Sequence, residues 1–362
     1  MNSLERFQMA VSHQNPDRVP CDFSAEVEII ERLQHYLGVK TYDELLKALW
    51  IDRRSVGPRY VGPALRRFED GSYETIVSGG PIQRGIPAPG GGVIPTTVIF
   101  PWADISKPED LAGRPGWNGP LEWWDFSTIP AQIDAWQAEG PYWITTHGDP
   151  SGLQHLQMWV GDERFMLLLA DNPDLAVAMI EKHNEHRLEH ALKSLEAGAG
   201  RIHELNGGGD YGAQNGLLIS RAMFRRYFKD LYIRFYREIK KNFDVEIFFH
   251  SCGSIVSLIP ELIEVGVTIL DPVQVLAKGM DIASLKSNYG QQLTFHGGID
   301  IQDLMPHGAP EEVRRAVRRT IQILGAGGGY ILAPTHALQP DTPIENIIAM
   351  YEEAQARVIK RI

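Results

Sequence analysis

One short stretch of the chain has the residue types and spacing of a metal site. His250 and Cys252 stand two residues apart at the end of the apolar run VEIFFH (residues 245–250). In an extended chain, residues i and i+2 point to the same side, so an imidazole and a thiolate could reach one ion. Zinc takes both ligand types in tetrahedral sites and keeps one position open when it is catalytic. The same spacing also fits a buried cysteine beside a core histidine, and the two interpretations stay open.

Polar residues follow other apolar runs in the same way. They include His147, Asp149, Asp210, Asp271, Gln274, His296, Asp300 and His336. If the runs are strands of a parallel barrel, their carboxyl ends meet on one face, where the active sites of such barrels lie. His336 is then a candidate third metal ligand from a distant strand end.

The glycine run at residues 207–209 leads into a second group of candidate site residues. Asp210 is our candidate general acid or base, or polar contact to substrate; the alternative is a turn residue that caps the glycine run. Tyr211, Asn215, His147 and Gln274 are candidate substrate contacts.

The elements that must position these residues alternate between strand-like and helix-like patterns. The strand-like runs are 19–23, 142–147, 201–206, 245–250, 268–272, 293–298 and 329–334, and helical patterns cover 173–197, 221–242, 255–265, 281–288, 310–324 and 343–361. Such alternation predicts a parallel sheet. We expect one (β/α)8 TIM barrel domain over residues 1–362, with its eighth strand unplaced and an open doubly wound sheet as the competitor.

Residues 50–140 differ from the rest and predict a hairpin and loop insertion that covers the active-site face. This stretch is rich in glycine, proline and tryptophan, with Trp102, Trp117, Trp123 and Trp124 among them. The tryptophans serve either packing or an aromatic wall over a substrate pocket.

Composition excludes several function classes. The 362 residues carry a formal net charge of −11 and show no stripe of lysine and arginine, so nucleic acid is not an expected partner. No stretch of about 18 apolar residues predicts a membrane span. The N-terminal stretch has no apolar run of a signal peptide, and the two cysteines, Cys21 and Cys252, are expected to be free thiols in a cytoplasmic protein.

At these residues the sequence resembles the uroporphyrinogen decarboxylase superfamily, and its corrinoid-dependent methyltransferase branch more than the decarboxylase itself. The resemblance covers essentially the whole chain, and it is carried by the stretches GDYGAQNGLLISRAMFRRYF, FFHSCGSIVSLIPELIEVGVTILDPVQ, LTFHGGIDIQDLMPHGAPEEV and GGGYILAPTHALQPDTPIENI. It implies the barrel fold and an active site at the carboxyl ends of the strands.

The resemblance also implies a ligand set. Members similar to coenzyme M methylases bind zinc through His-x-Cys and a distant cysteine; His250 and Cys252 match the first two positions, and His336 stands at the third. The decarboxylase holds substrate carboxylates with an N-terminal arginine motif, but the matching stretch VPCDFSAEVEII has no arginine after Arg18. The chain shows no corrinoid-binding module, so a corrinoid (cobalamin) would come on a separate protein.

The leading hypothesis is a zinc-dependent methyltransferase that moves a methyl group between a methoxy or methylamine compound and a corrinoid protein. Two histidines and one thiolate would leave zinc with a formal charge of about +1, which favours Lewis-acid work at the leaving group of a methyl donor. The alternatives are a methylcobalamin:thiol methyltransferase similar to the coenzyme M enzymes, a carboxy-lyase without metal, and a non-catalytic binding barrel. A homodimer is left open, and the sequence does not name the methyl donor.

Overall fold

A computed structural model describes residues 1–87 and 92–360. Residues 88–91, part of the predicted insertion, and residues 361–362, the first of which ends the predicted last helix 343–361, lie outside it. Seven parallel strands form one curved sheet, in the order Arg53–Ser55, Trp143–His147, Glu204–Gly208, Glu246–His250, Ile269–Val273, Thr294–Ile299 and Tyr330–Pro334. The order in the sheet is the order in the chain, as in a singly wound barrel.

A short extended segment closes the sheet on itself. Cys21 pairs in parallel with Leu332 on the last strand, and the Asp22 N–H donates to the Leu332 carbonyl at 2.9 Å. On its other side, the Cys21 carbonyl accepts from the Asp52 N–H at 3.0 Å, beside the first strand. The fold is therefore the predicted α/β TIM barrel, and the open doubly wound sheet is excluded.

The strand that sequence reasoning did not place is Arg53–Ser55, which lies inside the predicted insertion of residues 50–140. It pairs with the Trp143–His147 strand in register, Arg53 opposite Trp143. Two arginines and a serine give no apolar strand pattern, because here the barrel interior accepts a charged side chain that is paired with carboxylates. The insertion accordingly begins after Ser55.

Helices cover the outside of the barrel. The α-helices are Ser3–Val11, Val27–Leu37, Tyr42–Ala48, Ile129–Gln137, Leu153–Val160, Asp162–Asp171, Pro173–His183, Arg187–Gly198, Arg221–Phe224, Asp230–Asn242, Ile259–Val265, Ile282–Tyr289, Leu304–His307, Pro310–Leu324 and Ile344–Gln355. A π-helical turn, Arg225–Lys229, joins two of them. The predicted helix 173–197 is two helices, and no helix among the described residues is long and apolar enough to cross a membrane.

The helix Pro310–Leu324 shows how the sequence produces these elements. Proline occupies its first turn, where its missing N–H costs no helical hydrogen bond. Val313, Val317 and Leu324 are fully buried at helical spacing, while its many charged residues lie on the outer side. The apolar stripe fixes which face of this helix packs against the barrel.

The insertion contains an antiparallel hairpin, Ile82–Pro87 paired with Val93–Ile99, and a small ladder of Arg59–Tyr60 with Trp124–Asp125. Gly92 lies against Pro340, in the segment that follows the last barrel strand. One end of the hairpin is thus located on the side of the molecule where the barrel strands end.

Candidate metal centre

Three side chains with metal-binding atoms converge at the carboxyl end of the strand Glu246–His250. The ligand atoms of Asp210, His250 and Cys252 all lie within 4.8 Å of one another. His250 Nε2 is 3.5 Å from Cys252 Sγ and 3.5 Å from Asp210 Oδ1. All three residues are partly buried, so they are open to an ion and shielded from bulk water.

The backbone after His250 holds the cysteine in place. The Cys252 N–H donates to Asp210 Oδ1 at 2.8 Å, and the Gly253 N–H donates to Gln274 Oε1 at 2.5 Å. Gly253 has a φ of +84°, and a Cβ there would lie 2.6 Å from the carbonyl carbon of Gly212. Only glycine fits this turn without strain, and the turn directs Cys252 toward His250.

The Asp271 carboxylate orients the His250 imidazole through the ring nitrogen Nδ1. Asp271 Oδ2 accepts a hydrogen bond from His250 Nδ1 at 2.5 Å, which leaves Nε2 facing Cys252 and Asp210. The other oxygen of Asp271 is 2.6 Å from His296 Nδ1, and His296 Nε2 is 3.1 Å from Asp22 Oδ2. Metal-binding histidines commonly donate their second ring N–H to a carboxylate in this way.

The electrostatics of the group favour a positive charge at His250 Nε2. Burial lowers the pKa of His250, but the hydrogen bonds to Asp210 and Asp271 outweigh it, and the pKa rises well above its usual range. Burial raises the pKa of the Cys252 thiol, against the effect of His250. Burial also opposes ionisation of Asp210, but the hydrogen bond with His250 leaves its pKa lowered. Either a proton or a divalent cation can supply the positive charge, so these residues fit a metal ion.

His336 and Asn215 lie outside this group. The His336 ring is 6.2 Å from the His250 ring, centroid to centroid, and the residue is exposed. It is not among the three described residues whose ligand atoms converge, and its role as a zinc ligand stays a prediction. Asn215 is exposed, between the paired segments Gly212–Ala213 and Gly216–Leu217.

The remaining candidates have different surroundings. Tyr211 is fully buried against Phe224, at 5.2 Å between ring centroids, and its role as a substrate contact stays a prediction. Gln274 is buried and supports the Gly253 turn. The His147 side chain is 60% exposed, and its Nε2 lies 3.5 Å from Asp149 Oδ1.

Sequence reasoning did not assign roles to Asp271, His296 or Gln154. Asp271 and His296 carried a signal, since both stand at the ends of neighbouring apolar runs. Gln154, whose Nε2 donates to Asp210 Oδ2 at 3.1 Å, lies in the first turn of a helix and carried none.

The closed barrel, with polar groups gathered at the carboxyl ends of its strands, has the architecture of a TIM-barrel enzyme site. The family model of uroporphyrinogen decarboxylase (URO-D) matches residues 157–357, and the chain belongs to this family. Uroporphyrinogen decarboxylases from two strains of Coxiella burnetii, Dugway 5J108-111 and RSA 493 / Nine Mile phase I, are each 30% identical to it over 80 residues. That segment is 22% of this chain and 22% of each relative.

A solved structure is similar over almost the whole length. It is a methyltransferase from Methanosarcina mazei, with a TM-score of 0.66, 16% sequence identity and coverage of 98% of this chain and 99% of that one. At this identity, the likeness establishes the shared fold.

Proposed function

We propose that this protein is a metal-dependent methyltransferase that moves a methyl group between a methylated small molecule and a corrinoid protein. The observation that carries the proposal is the convergence of Asp210, His250 and Cys252, with Asp271 holding the imidazole. The full-length likeness to a methyltransferase of the same fold supports the reaction class.

Zinc is the metal that these ligands suit, because a nitrogen, a sulfur and a carboxylate oxygen are its usual protein ligands. When bound, zinc supplies a Lewis acid for a leaving group, or holds a thiol as thiolate. Asp271 keeps the proton on His250 Nδ1, and Gly253 fixes the position of Cys252.

The Asp210 carboxylate changes the charge argument for the direction of transfer. A thiolate and a carboxylate together balance the charge of Zn²⁺, with or without a second histidine such as His336. The formal charge of about +1 expected from the sequence assumed one anionic ligand, so charge no longer favours a methyl donor over a methyl-accepting thiol. The charge of the ligand set therefore does not decide the direction of transfer.

The proposed transfer has a simple electron balance. The methyl group leaves its oxygen or nitrogen without the bonding pair, which stays on that atom; an oxygen or an uncharged nitrogen then takes up a proton from water, whereas a cationic nitrogen leaves as the neutral amine. The new bond to carbon uses an electron pair of the acceptor. We propose that this acceptor is a reduced corrinoid on a separate protein that docks at the open end of the barrel.

The arginines near the closing segment are engaged within the protein, which weighs against a decarboxylase that binds several carboxylates. Arg18 makes hydrogen bonds of 2.7 and 3.0 Å to Asp52. Arg53 contacts Asp22 at 2.7 Å and Glu204 at 2.5 Å. Release of either arginine for a substrate would remove an ion-pair partner from buried carboxylates, which is costly.

The test combines metal analysis with a methyl-transfer assay. We expect about one zinc ion per chain in the purified protein. It should form methylcobalamin from reduced cobalamin and a methyl donor in a panel of methoxy and methylamine compounds. Cys252→Ala should lose zinc and turnover, whereas Cys21→Ala, which removes a thiol buried elsewhere in the barrel, should keep both.

Three results would contradict parts of this proposal. Full turnover of the Cys252→Ala protein would refute the metal mechanism. Methylation of a thiol from methylcobalamin, without formation of methylcobalamin from any donor, would reverse the direction. Metal-independent release of carbon dioxide from a carboxylated substrate would replace methyl transfer with the lyase reaction.

A further inference from the structure

A cavity of about 330 Å³ lies at the amino ends of the barrel strands, on the face opposite the candidate metal centre. It is lined mainly by residues that precede the strands Arg53–Ser55 and Trp143–His147, by the start of the first helix and by the segment after the last helix. Its size is within the usual range of small-molecule sites, about 300–1,000 Å³. The residues that matter for its chemistry are Arg6, Arg18, Lys47, Arg54, Tyr142 and Arg357.

The lining of this cavity is rich in cations. Five of its side chains are arginine or lysine, and Glu139 is the one carboxylate among the described residues that line it. Three of the five form ion pairs with carboxylates of the protein: Arg6, Arg18 and Lys47. Arg54 and Arg357 form no ion pair in the described part of the chain, so their charges are available to an anion.

Arg54 has one edge of its guanidinium group without a partner. Its Nη1 donates to the carbonyls of Ile51 and Arg53, both at 2.8 Å, which fixes the plane of the group. Its Nε and Nη2 have no hydrogen-bond partner in the described residues, although Arg54 is only 1% exposed. This is the edge at which a guanidinium binds two oxygens of a carboxylate or phosphate side by side. Since buried polar groups are almost always hydrogen-bonded, the edge points to an anionic ligand.

The direction of the Arg54 side chain separates it from the network inside the barrel. Adjacent residues of a strand point to opposite sides, and Arg53 is paired with carboxylates in the barrel interior. The Arg54 Cζ atom lies outside it, 4.0 Å from the centre of the Tyr142 ring and 5.0 Å from the centre of a ring of Trp136. These aromatic rings stabilise the cation but do not balance its charge.

The protein offsets the burial of this cation only in part. Burial lowers the pKa of Arg54, against the opposing effects of Tyr142, Asp43 and Asp52. Both aspartates already form ion pairs with other cations of the lining. A bound anion would therefore stabilise Arg54 in a way that no described carboxylate does.

We propose that this cavity binds a phosphate group, with two of its oxygens on Nε and Nη2 of Arg54 and with Arg357 balancing its second charge. Two guanidinium groups without ion pairs match a phosphate dianion better than the single charge of a carboxylate. Because the two Arg54 nitrogens are shielded from water, the partly buried Tyr142 side chain moves as the anion enters, and such side-chain changes are common on binding. The site is at the opposite end of the strands from the candidate metal ligands, so the inference does not depend on the proposed function.

Binding can be measured by calorimetry and by thermal unfolding of the intact protein. The probes are inorganic phosphate and glycerol 3-phosphate at about pH 8, where both are dianions, with acetate as the monoanion. We expect a phosphate probe to bind saturably and to raise Tm, and acetate to bind at least about tenfold more weakly. Glycerol 3-phosphate binding more tightly than phosphate would identify a phosphorylated small molecule as the ligand; otherwise the ligand is the free ion. Absence of saturable binding by both phosphate probes, or equal binding of acetate, would overturn the assignment.

Three arginine variants locate the bound anion. Arg54→Lys keeps a positive charge but cannot offer two parallel N–H groups, so it should weaken phosphate binding at least about tenfold. Arg357→Met removes an exposed guanidinium, so the variant should fold and bind phosphate about three- to tenfold more weakly. Arg237→Met removes another exposed arginine, on the outer helix Asp230–Asn242, and should leave binding unchanged. Unchanged binding in Arg357→Met, or in a folded Arg54→Lys protein, would refute the assigned contacts.

A phosphate can also bind at a metal ion, so a further variant separates the two sites. Cys252→Ala, which should lose zinc, should bind phosphate as the wild type does if the anion lies at Arg54. Loss of phosphate binding in Cys252→Ala, with binding kept in Arg54→Lys, would place the anion at the metal centre and overturn the inference.

Discussion

Replacement of Asp271 by asparagine should weaken metal binding, although Asp271 is not itself one of the candidate ligands. The two carboxylate oxygens of Asp271 are 2.5 Å from His250 Nδ1 and 2.6 Å from His296 Nδ1. An asparagine has one carbonyl oxygen and one NH₂ group, so it can accept from only one of these rings. If His250 loses its acceptor, its proton is no longer held on Nδ1, and Nε2 is less available as a ligand.

The size of the effect follows from this geometry. Loss of such a supporting group typically costs about 10- to 100-fold in metal affinity, or about 1.4–2.7 kcal/mol. Because one carboxylate serves two buried imidazoles here, we expect Asp271→Asn to fall in the upper part of that range. Methyl transfer should fall in proportion to bound zinc when zinc is limiting.

The assay is competition for zinc with a chromophoric chelator at pH 7.5, accompanied by thermal unfolding. Asp300→Asn is the matched control, since Asp300 also follows a barrel strand but accepts from the backbone N–H groups of Gln302, Asp303 and Leu304. It should lower stability and leave zinc affinity within about twofold. Equal zinc affinity in wild type and Asp271→Asn would refute the claim that Asp271 orients the ligand, and an equal loss in both variants would attribute the effect to general destabilisation.

Three further predictions concern the turn at the site, a surface ion network and pH. Gly253→Ala should lower stability by about 1–3 kcal/mol and weaken zinc binding, because the backbone φ of Gly253 is +84°. Gly216→Ala is the control and should do neither, since a Cβ at Gly216 would have no atom within 4 Å. Similar unfolding midpoints for the two variants would contradict this prediction. Glu261 is fully buried and forms ion pairs with Arg221, Arg225 and Lys229. Glu261→Gln should lower the free energy of unfolding in urea by about 1–3 kcal/mol. An unchanged urea midpoint would show that these ion pairs do not stabilise the protein. Burial holds the pKa of His183 well below its usual value near 6.5, so the unfolded chain binds a proton that the folded protein does not, and stability should fall as the pH drops below about 6.5. His183→Gln should make that slope shallower by up to about 1.4 kcal/mol per pH unit, and equal slopes for the two proteins would contradict the buried neutral state.

Much of the fold could be predicted because most barrel strands are apolar runs between helical patterns. Arg53–Ser55 could not, since strand prediction depends on side-chain hydrophobicity, whereas this strand is defined by what it contacts. Arg53 lies between Trp143 and Phe248 and is paired with two carboxylates. Those partners are remote in the sequence, and only the closed barrel brings them to it.

The candidate site shows the same limit. The i, i+2 spacing of His250 and Cys252 predicted that both reach the same side, although Cys252 lies beyond the end of the strand, where the Gly253 turn positions it. Asp210 was predicted as a general acid or base or as a polar contact to substrate, and the structure places it beside those two residues. The role of Asp271 depends on the register of two strands, in which His250 is opposite Asp271. A one-residue shift of that register would remove the contact, and the sequence does not state the register.

The strand that sequence reasoning did not place contributes to a hydrogen-bond network that holds the candidate metal centre. From His250, hydrogen bonds and ion pairs run through Asp271, His296, Asp22 and Arg53 to Glu204, so that groups of opposite charge alternate through the barrel interior. Each carboxylate in this series has a partner on either side, or ends the series, as Glu204 does beside Thr145. Because an unpaired buried charge is costly, displacement of one member disturbs its neighbours as well. The orientation of His250 is therefore fixed by a network that ends at Arg53 and Glu204, on the two barrel strands that flank Trp143–His147.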